Sequence, residues 1–202
     1  MKEKIKKFKP TIGLLNPPYA TQVPEMEFVY NNLECLEDNG VCVAIMPLSC
    51  VTADSGEDLI WKIKILEKHT LEAVLSMPLE LFNPAASTGT VIVVIKSHCP
   101  HPENYETFFG LWTDDNFIKV KHLGRVDFNN KWNTTKQNWI KNFRNKKEIK
   151  EKYVKKYVKP EDEWCSEAYL ETNYDDIKEE DFIHEMKKYL LYKELNLKIE
   201  RS

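Results

Sequence analysis

At 202 residues the chain is long enough to bury a sizeable core in one domain, or in one domain with an appendage. Hydrophobic residues make up 42% and charged residues 30%, which excludes a disordered chain, and no apolar run is long enough to span a bilayer. The net charge of -3 argues against a uniformly basic nucleic-acid binder, yet eight lysines and Arg144 between Lys141 and Lys159 meet only Glu148 and Glu151, whereas the charges from Glu161 to Asp181 are nearly all acidic. In chain order, Thr11-Ile12-Gly13-Leu14-Leu15 predicts a short strand ending at the turn formers Asn16-Pro17-Pro18. Residues 25 to 38 predict a helix with Phe28, Val29, Leu33 and Leu36 on one face, stopped by Asn39-Gly40. Val41 to Pro47 is a continuous apolar run, suited to a strand buried on both faces. Ser55-Gly56-Glu57-Asp58 has the form of a capping box opening a helix to residue 68, with Leu59, Ile60, Ile63 and Leu66 inward. Leu71 to Met77 predicts the next strand, Leu79 to Thr88 a loop, and the β-branched run Thr90 to Ile95 another strand. A hairpin is expected from 105–112 and 117–121, turning at Thr113-Asp114-Asp115-Asn116, and helices over 135–157 and 178–198 flank Pro160. Alternating strands and helices in the first two-thirds argue for an α/β fold with a mainly parallel sheet.

The five cysteines are an odd number, three of them in apolar stretches, so disulfides are not expected. The basic start Met1 to Lys7 leads into Phe8-Lys9-Pro10 rather than an apolar signal core, which predicts a cytoplasmic protein with no membrane partner. His98-Cys99-Pro100-His101 lacks a second ligand pair at metal-binding spacing, so no metal is expected.

The chemistry concentrates at Asn16-Pro17-Pro18-Tyr19. The carboxyl edge of a parallel sheet is where ligands bind in open α/β folds. Each proline restricts the residue before it, so the loop is stiff, and the Asn16 side-chain oxygen and Pro17 carbonyl can converge on one amino group. An exocyclic aromatic amine has its lone pair delocalised into the ring; accepting both of its hydrogens localises the pair for attack on an activated methyl group. Tyr19 offers a face on which a base can stack. The plain alternative is a rigid turn with no chemistry.

This tetrapeptide, with Glu34 to Pro47, Leu71 to Pro78 and Leu81-Phe82, resembles the N6-adenine DNA methyltransferases, especially the modification subunits of type I restriction-modification systems. The resemblance is good from about residue 11 to 97. It implies a partial Rossmann-like methyltransferase sheet with helices on both faces, followed by a mainly helical C-terminal region. It implies that Asn16, Pro17, Pro18 and Tyr19 are catalytic and that Tyr19 and Phe82 hold a flipped adenine between them, Phe82 otherwise reading as a packing residue. Residues 1–125 would form the C-terminal half of the catalytic domain, and 126–202 a helical extension contacting DNA or a subunit.

The chain departs from the family where S-adenosylmethionine binds. The family carries a glycine-rich loop upstream of the tetrapeptide, but only fifteen residues precede Asn16, and the six glycines form no G-x-G cluster. The expectation is one portion of a methyltransferase whose cofactor-binding half lies elsewhere, inactive alone, binding S-adenosylmethionine weakly or not at all. Its implied partners are DNA, the missing N-terminal half, and specificity and restriction subunits. Two other functions stay open: a non-catalytic assembly module of a restriction-modification complex, and a fragment of a protein-glutamine or RNA-guanine amino methyltransferase.

Overall fold

The structure is a computed structural model and describes residues 2–19, 22–82, 88–171 and 178–199. Residues Met1–Leu170 form one compact unit and Glu171–Ser202 a second. The first contains α1 (Lys2–Lys6), β1 (Ile12–Leu15), α2 (Glu25–Leu33), β2 (Val41–Pro47), α3 (Leu48–Thr52), α4 (Gly56–Lys68), β3 (Thr70–Ser76), β4 (Thr90–Lys96), β5 (Thr107–Leu111), β6 (Ile118–Val120), β7 (Gly124–Val126), α5 (Trp132–Asn145) and β8 (Tyr153–Lys156). The second contains α6 (Glu179–Ile199), close to the helix expected there.

Six strands form one sheet in the order β1-β2-β4-β3-β5-β8, and β6 and β7 form a separate hairpin. β1 pairs in parallel with β2 and β3 with β5, while β4 runs antiparallel to β2 and β3, and β8 antiparallel to β5. Four strands therefore point one way, and their carboxyl ends share one edge. Helices cover both faces. On one, Met26, Val29 and Leu33 of α2 and Ile65 and Leu66 of α4 pack with Cys42, Ala44 and Met46 of β2. On the other, Phe143 of α5 packs with Leu75, Phe108 and Tyr153. β2 alternates with period 2, but where burial on both faces was expected, Cys42, Ala44 and Met46 are buried and Val41, Val43 and Ile45 on the other face are only half-buried.

Two glycines permit close approach. A Cβ on Gly13 in β1 would lie 2.0 Å from the Asn32 side-chain oxygen of α2. One on Gly110 would meet Leu75 at 2.8 Å and the Tyr153 ring at 3.0 Å. That space lets Tyr153 stack on Phe108 with 5.5 Å between ring centroids.

Several expectations are corrected. Regular α2 ends at Leu33, and residues 34–36 continue as tighter turns, with Cys35 N–H on Asn32 O and Leu36 N–H on Leu33 O. Ser55 precedes α4 but makes no side-chain capping bond. Inward on α4 are Lys62, Ile65 and Leu66, while Ile60 is exposed; the Lys62 ammonium donates to Ala53 O (2.8 Å) and Asp162 O (2.7 Å) and lies over Trp164. The expected hairpin of 105–112 with 117–121 does not form, because β5 pairs with β3 and β8, and β6 pairs with β7. The expected helix over 135–157 is α5, ended by Lys146 in the left-handed region at φ 47, followed by the edge strand β8. Segment 126–170 thus contributes a strand and the buried Trp164 to the sheet-bearing unit. Within the expected loop 79–88, residues 83–87 lie outside the described residues.

Candidate functional site

The end of β1 leads directly into Asn16, which is exposed, Pro17, which is buried, exposed Pro18 and half-buried Tyr19. Burying Pro17 anchors the loop while Asn16 faces outward. The Tyr19 hydroxyl reaches the Ile45 carbonyl of β2 at 3.5 Å, so the ring leans across the carboxyl end of the neighbouring strand. β3 lies three strand spacings from β1, about 14 Å away. The loop that follows β3 nevertheless returns across the edge and sets Phe82 against Tyr19, with ring centroids 6.3 Å apart and planes at 82°. Asn16, Pro17, Tyr19 and Phe82, separated by up to 66 positions in sequence, therefore meet at one end of the sheet. Two edge-to-face rings beside an exposed carboxamide make a place where a planar heterocycle can be held.

Behind Tyr19 lies a group the sequence did not signal. Glu25 opens α2, Cys50 lies on α3 and Asp58 opens α4, and one ligand-type atom from each lies within 4.8 Å of the others. The Cys50 thiol donates to Glu25 Oε2 at 3.5 Å. Burial, then Asp58 and Glu25, push the Cys50 thiol up to about 12. Burial, then Cys50 and Glu25, also raise the Tyr19 hydroxyl above the usual phenol range. Both groups are therefore neutral at physiological pH, and Tyr19 presents its ring rather than a phenolate. Spacings of 25 and 8 residues between three different helices match no local pattern, which is why this neighbourhood was illegible.

The histidines weighed for a metal make local hydrogen bonds. His98 Nε2 donates to the Leu36 carbonyl (3.0 Å), its backbone N–H donates to His69 Nδ1 (3.0 Å), and His101 Nδ1 accepts the Leu71 N–H (3.3 Å). Those contacts tie the loop after β4 to β3, to the end of α4 and to the turns that follow α2. In the lysine-rich segment, Lys146 lies over the Phe143 ring at 3.9 Å and Lys152 pairs with Asp114 at 3.0 Å. Gly124-Arg125-Val126-Asp127 is structural too. Arg125 Nη2 pairs with Asp115 at 2.8 Å, and the Asp127 carboxylate accepts the N–H groups of Lys131 and Trp132 at the start of α5.

Of the six glycines, Gly56 and Gly124 face open space, and three others are closed in by their neighbours. The space at Gly13, Gly40 and Gly110 is taken by Asn32, by the Thr11 carbonyl and by Leu75 with Tyr153, respectively. All three serve packing.

The chain is 34% identical over 120 residues to the type II restriction enzyme and methyltransferase RM.BcgI of Heyndrickxia coagulans, a match covering 56% of this chain and 19% of that protein. The fold is similar to that of the methyltransferase subunit of a type I restriction-modification system from Streptococcus thermophilus, with 16% identity and a TM-score of 0.58, over 72% of this chain and 34% of that one. It is also similar to a chain of a type I restriction-modification system at 15% identity and a TM-score of 0.57, over 98% of this chain and 47% of that one. This chain thus spans about a fifth of the curated relative and less than half of either structure. The N-6 DNA Methylase family description matches residues 2–196, and the chain belongs to that family.

Proposed function

We propose that the chain is the substrate-side half of a site-specific DNA adenine-N6 methyltransferase, in which residues 1–125 present the target base and 126–202 contact DNA or a partner subunit. The observation that carries this is the convergence of Tyr19 and Phe82 beside Asn16 at the carboxyl edge of the sheet. An adenine turned out of the duplex lies against these rings, with the unstacking cost offset by aromatic contact worth roughly 1 to 3 kcal/mol per base. The Asn16 side-chain oxygen and the Pro17 carbonyl accept the two amino hydrogens and so concentrate the nitrogen lone pair. Pro17 and Pro18 keep those acceptors fixed before the base arrives. When bound, S-adenosylmethionine supplies the methyl group; its main site lies on the portion of the enzyme beyond this chain. Specificity and restriction subunits are the further partners of this reading.

In the completed enzyme, Asn16→Ala is expected to lower methyl transfer to duplex DNA roughly 100- to 1,000-fold, as loss of one preorganised transition-state contact does, with little change in melting temperature. Tyr19→Phe is expected to retain activity, because the ring is the working part, whereas Tyr19→Ala loses base binding. The isolated chain is expected to give no methylation and no calorimetric signal with S-adenosylmethionine. Transfer to DNA unaffected by Asn16→Ala sinks the proposal and favours the assembly module; transfer to glutamine peptides or RNA in place of DNA favours those substrates.

A second reading, assembly, is favoured by a flank of the sheet that is exposed within its own unit among the described residues. Ile12 and Leu14 of β1 are 67% and 76% exposed. Their register with Val41 and Val43 of β2 places all four on one face. Both faces of a parallel α/β sheet are ordinarily covered. The two readings are compatible if the covering element is the other half of the enzyme.

A further inference from the structure

β5 ends at the same edge of the sheet as β1, and the chain leaving it builds the β6–β7 hairpin. The loop after β3, which carries Phe82, lines a hollow together with the base of this hairpin: Pro78, Leu79 and Glu80 on one side, Asp115, Phe117 and Arg125 on the other. The hairpin therefore stands beside the proposed base-binding loop.

Its base is held firmly. Asp115 Oδ1 accepts both Arg125 Nη2 at 2.8 Å and the Phe117 N–H at 3.0 Å. Arg125 lies over the Phe117 ring, which packs edge-on against Trp132; Trp132 in turn meets Trp139, and Trp139 stacks on Trp112 at 4.9 Å. This aromatic chain connects the hairpin to α5 and to the end of β5.

Its far end is basic and apolar at once. Lys119, Lys121 and His122 are exposed, and Leu123 at the tip is 72% exposed. Between Phe117 and Phe128 the sole acid is Asp127, whose carboxylate is engaged at the start of α5. In a chain of net charge -3, this makes the far end of the hairpin locally basic. His122 occupies the left-handed region at φ 65, a conformation that costs a non-glycine residue roughly 1 kcal/mol, and so it turns Leu123 at the apex. Lysines flanking an exposed aliphatic tip match the chemistry of duplex DNA, with phosphates outside and apolar base surface within the groove.

We propose that the β6–β7 hairpin is a duplex-gripping arm, with Lys119 and Lys121 on the phosphates and Leu123 directed into the groove. This rests on the DNA-methyltransferase reading and extends it to a contact away from the flipped base. β1 and β5 are four strand spacings apart, about 19 Å. At about 3.4 Å per base pair, the arm meets the duplex roughly five or six pairs to one side of the target adenine.

The test uses the completed enzyme and a fluorescein-labelled 30-base-pair duplex of random sequence, with affinity followed by anisotropy from 50 to 200 mM NaCl. Lys119→Ala/Lys121→Ala is expected to flatten the slope of log affinity against log salt by about two and to weaken binding roughly 10- to 30-fold at 0.15 M salt. Lys119→Arg/Lys121→Arg is expected to preserve the slope, which separates charge from folding. Leu123→Ala is expected to weaken binding without changing the slope. An unchanged slope in the double alanine variant overturns the proposal, as does loss of binding to a protein subunit with DNA affinity intact. Methyl transfer abolished by Asn16→Ala alongside an unchanged slope overturns the arm while leaving the function; Asn16→Ala without effect overturns the function itself.

Discussion

His69 has no exposed surface and lies between the Tyr30 and His98 rings, with Nδ1 accepting the His98 N–H and Nε2 3.7 Å from Glu34. Burial, and then His98, lower its pKa to about 4 from an ordinary 6.5, against the pull of Glu34. The unfolded ring takes up its proton near the ordinary value while the folded ring stays neutral. The stability from a neutral His69 is therefore complete above about pH 6.5 and is lost progressively as pH falls toward 4. Between pH 7 and 5 the loss is about 2 kcal/mol, read as a drop in urea midpoint. His69→Gln is expected to remove that portion of the pH dependence; a variant as pH-sensitive as the parent excludes His69 as its source. At this scale the sequence was legible where the signal was contiguous. Asn16 to Tyr19 stood out as four adjacent residues, and the structure sets Tyr19 against Phe82, which the same resemblance had singled out. The burial of Lys62 was not legible, because a lysine on an amphipathic helix reads as solvent-facing. Only the fold brings the Ala53 and Asp162 carbonyls to its ammonium and lets burial draw its pKa down to about 8.

Among the elements, the β6–β7 hairpin is anchored at its base by a largely buried ion pair. Asp115 and Arg125 are 9% and 15% exposed, so Asp115→Ala leaves a largely buried guanidinium without its carboxylate. Removing one partner of a buried pair costs about 3 to 5 kcal/mol, and here the damage falls on a short hairpin outside the main sheet. Amide exchange of Lys119 to Val126 is expected to become fast while β2 and β4 stay protected; uniform protection in the variant would show that the pair does not hold the hairpin. This pair was not legible from the residues, since the expected hairpin joined 105–112 to 117–121 by proximity along the chain. β5 instead pairs with β3 in parallel and with β8 from more than 40 residues later, partners that no local pattern encodes. β8 itself, Tyr153-Val154-Lys155-Lys156, has the lysines of an edge strand, which also suit a helix surface. By contrast β2, β3, β4 and α4 were legible because each carries its own apolar run or helical period.

At the scale of the whole sheet-bearing unit, and among the described residues, the sheet is well covered where β3, β5 and β8 meet α5 and open where β1 meets β2. Val41, Val43, Ile92 and Val94 line an apolar hollow open beside Trp112 and Phe143, and Ile12 and Leu14 extend it to the edge. Among the described residues β1 is an edge strand paired with β2, so its outer backbone groups can take a further strand. A completing element that both pairs with β1 and lays an apolar helix on this face answers both needs at once. Leu14→Lys separates this from a role in folding. With Leu14 already 76% exposed, the substitution is expected to change the stability of the isolated chain by no more than about 0.5 kcal/mol. It places a charge where the incoming apolar surface must sit, so assembly with the proposed other half of the enzyme is expected to fall at least tenfold, measured by size-exclusion chromatography of the mixed halves. Assembly, rather than methylation, is the quantity to read, because Leu14 lies two residues from Asn16 and activity alone would confound a displaced loop with a missing partner. Normal assembly of the variant would place the completing surface elsewhere on the sheet; failed assembly with an intact isolated fold would fix it on β1 and β2.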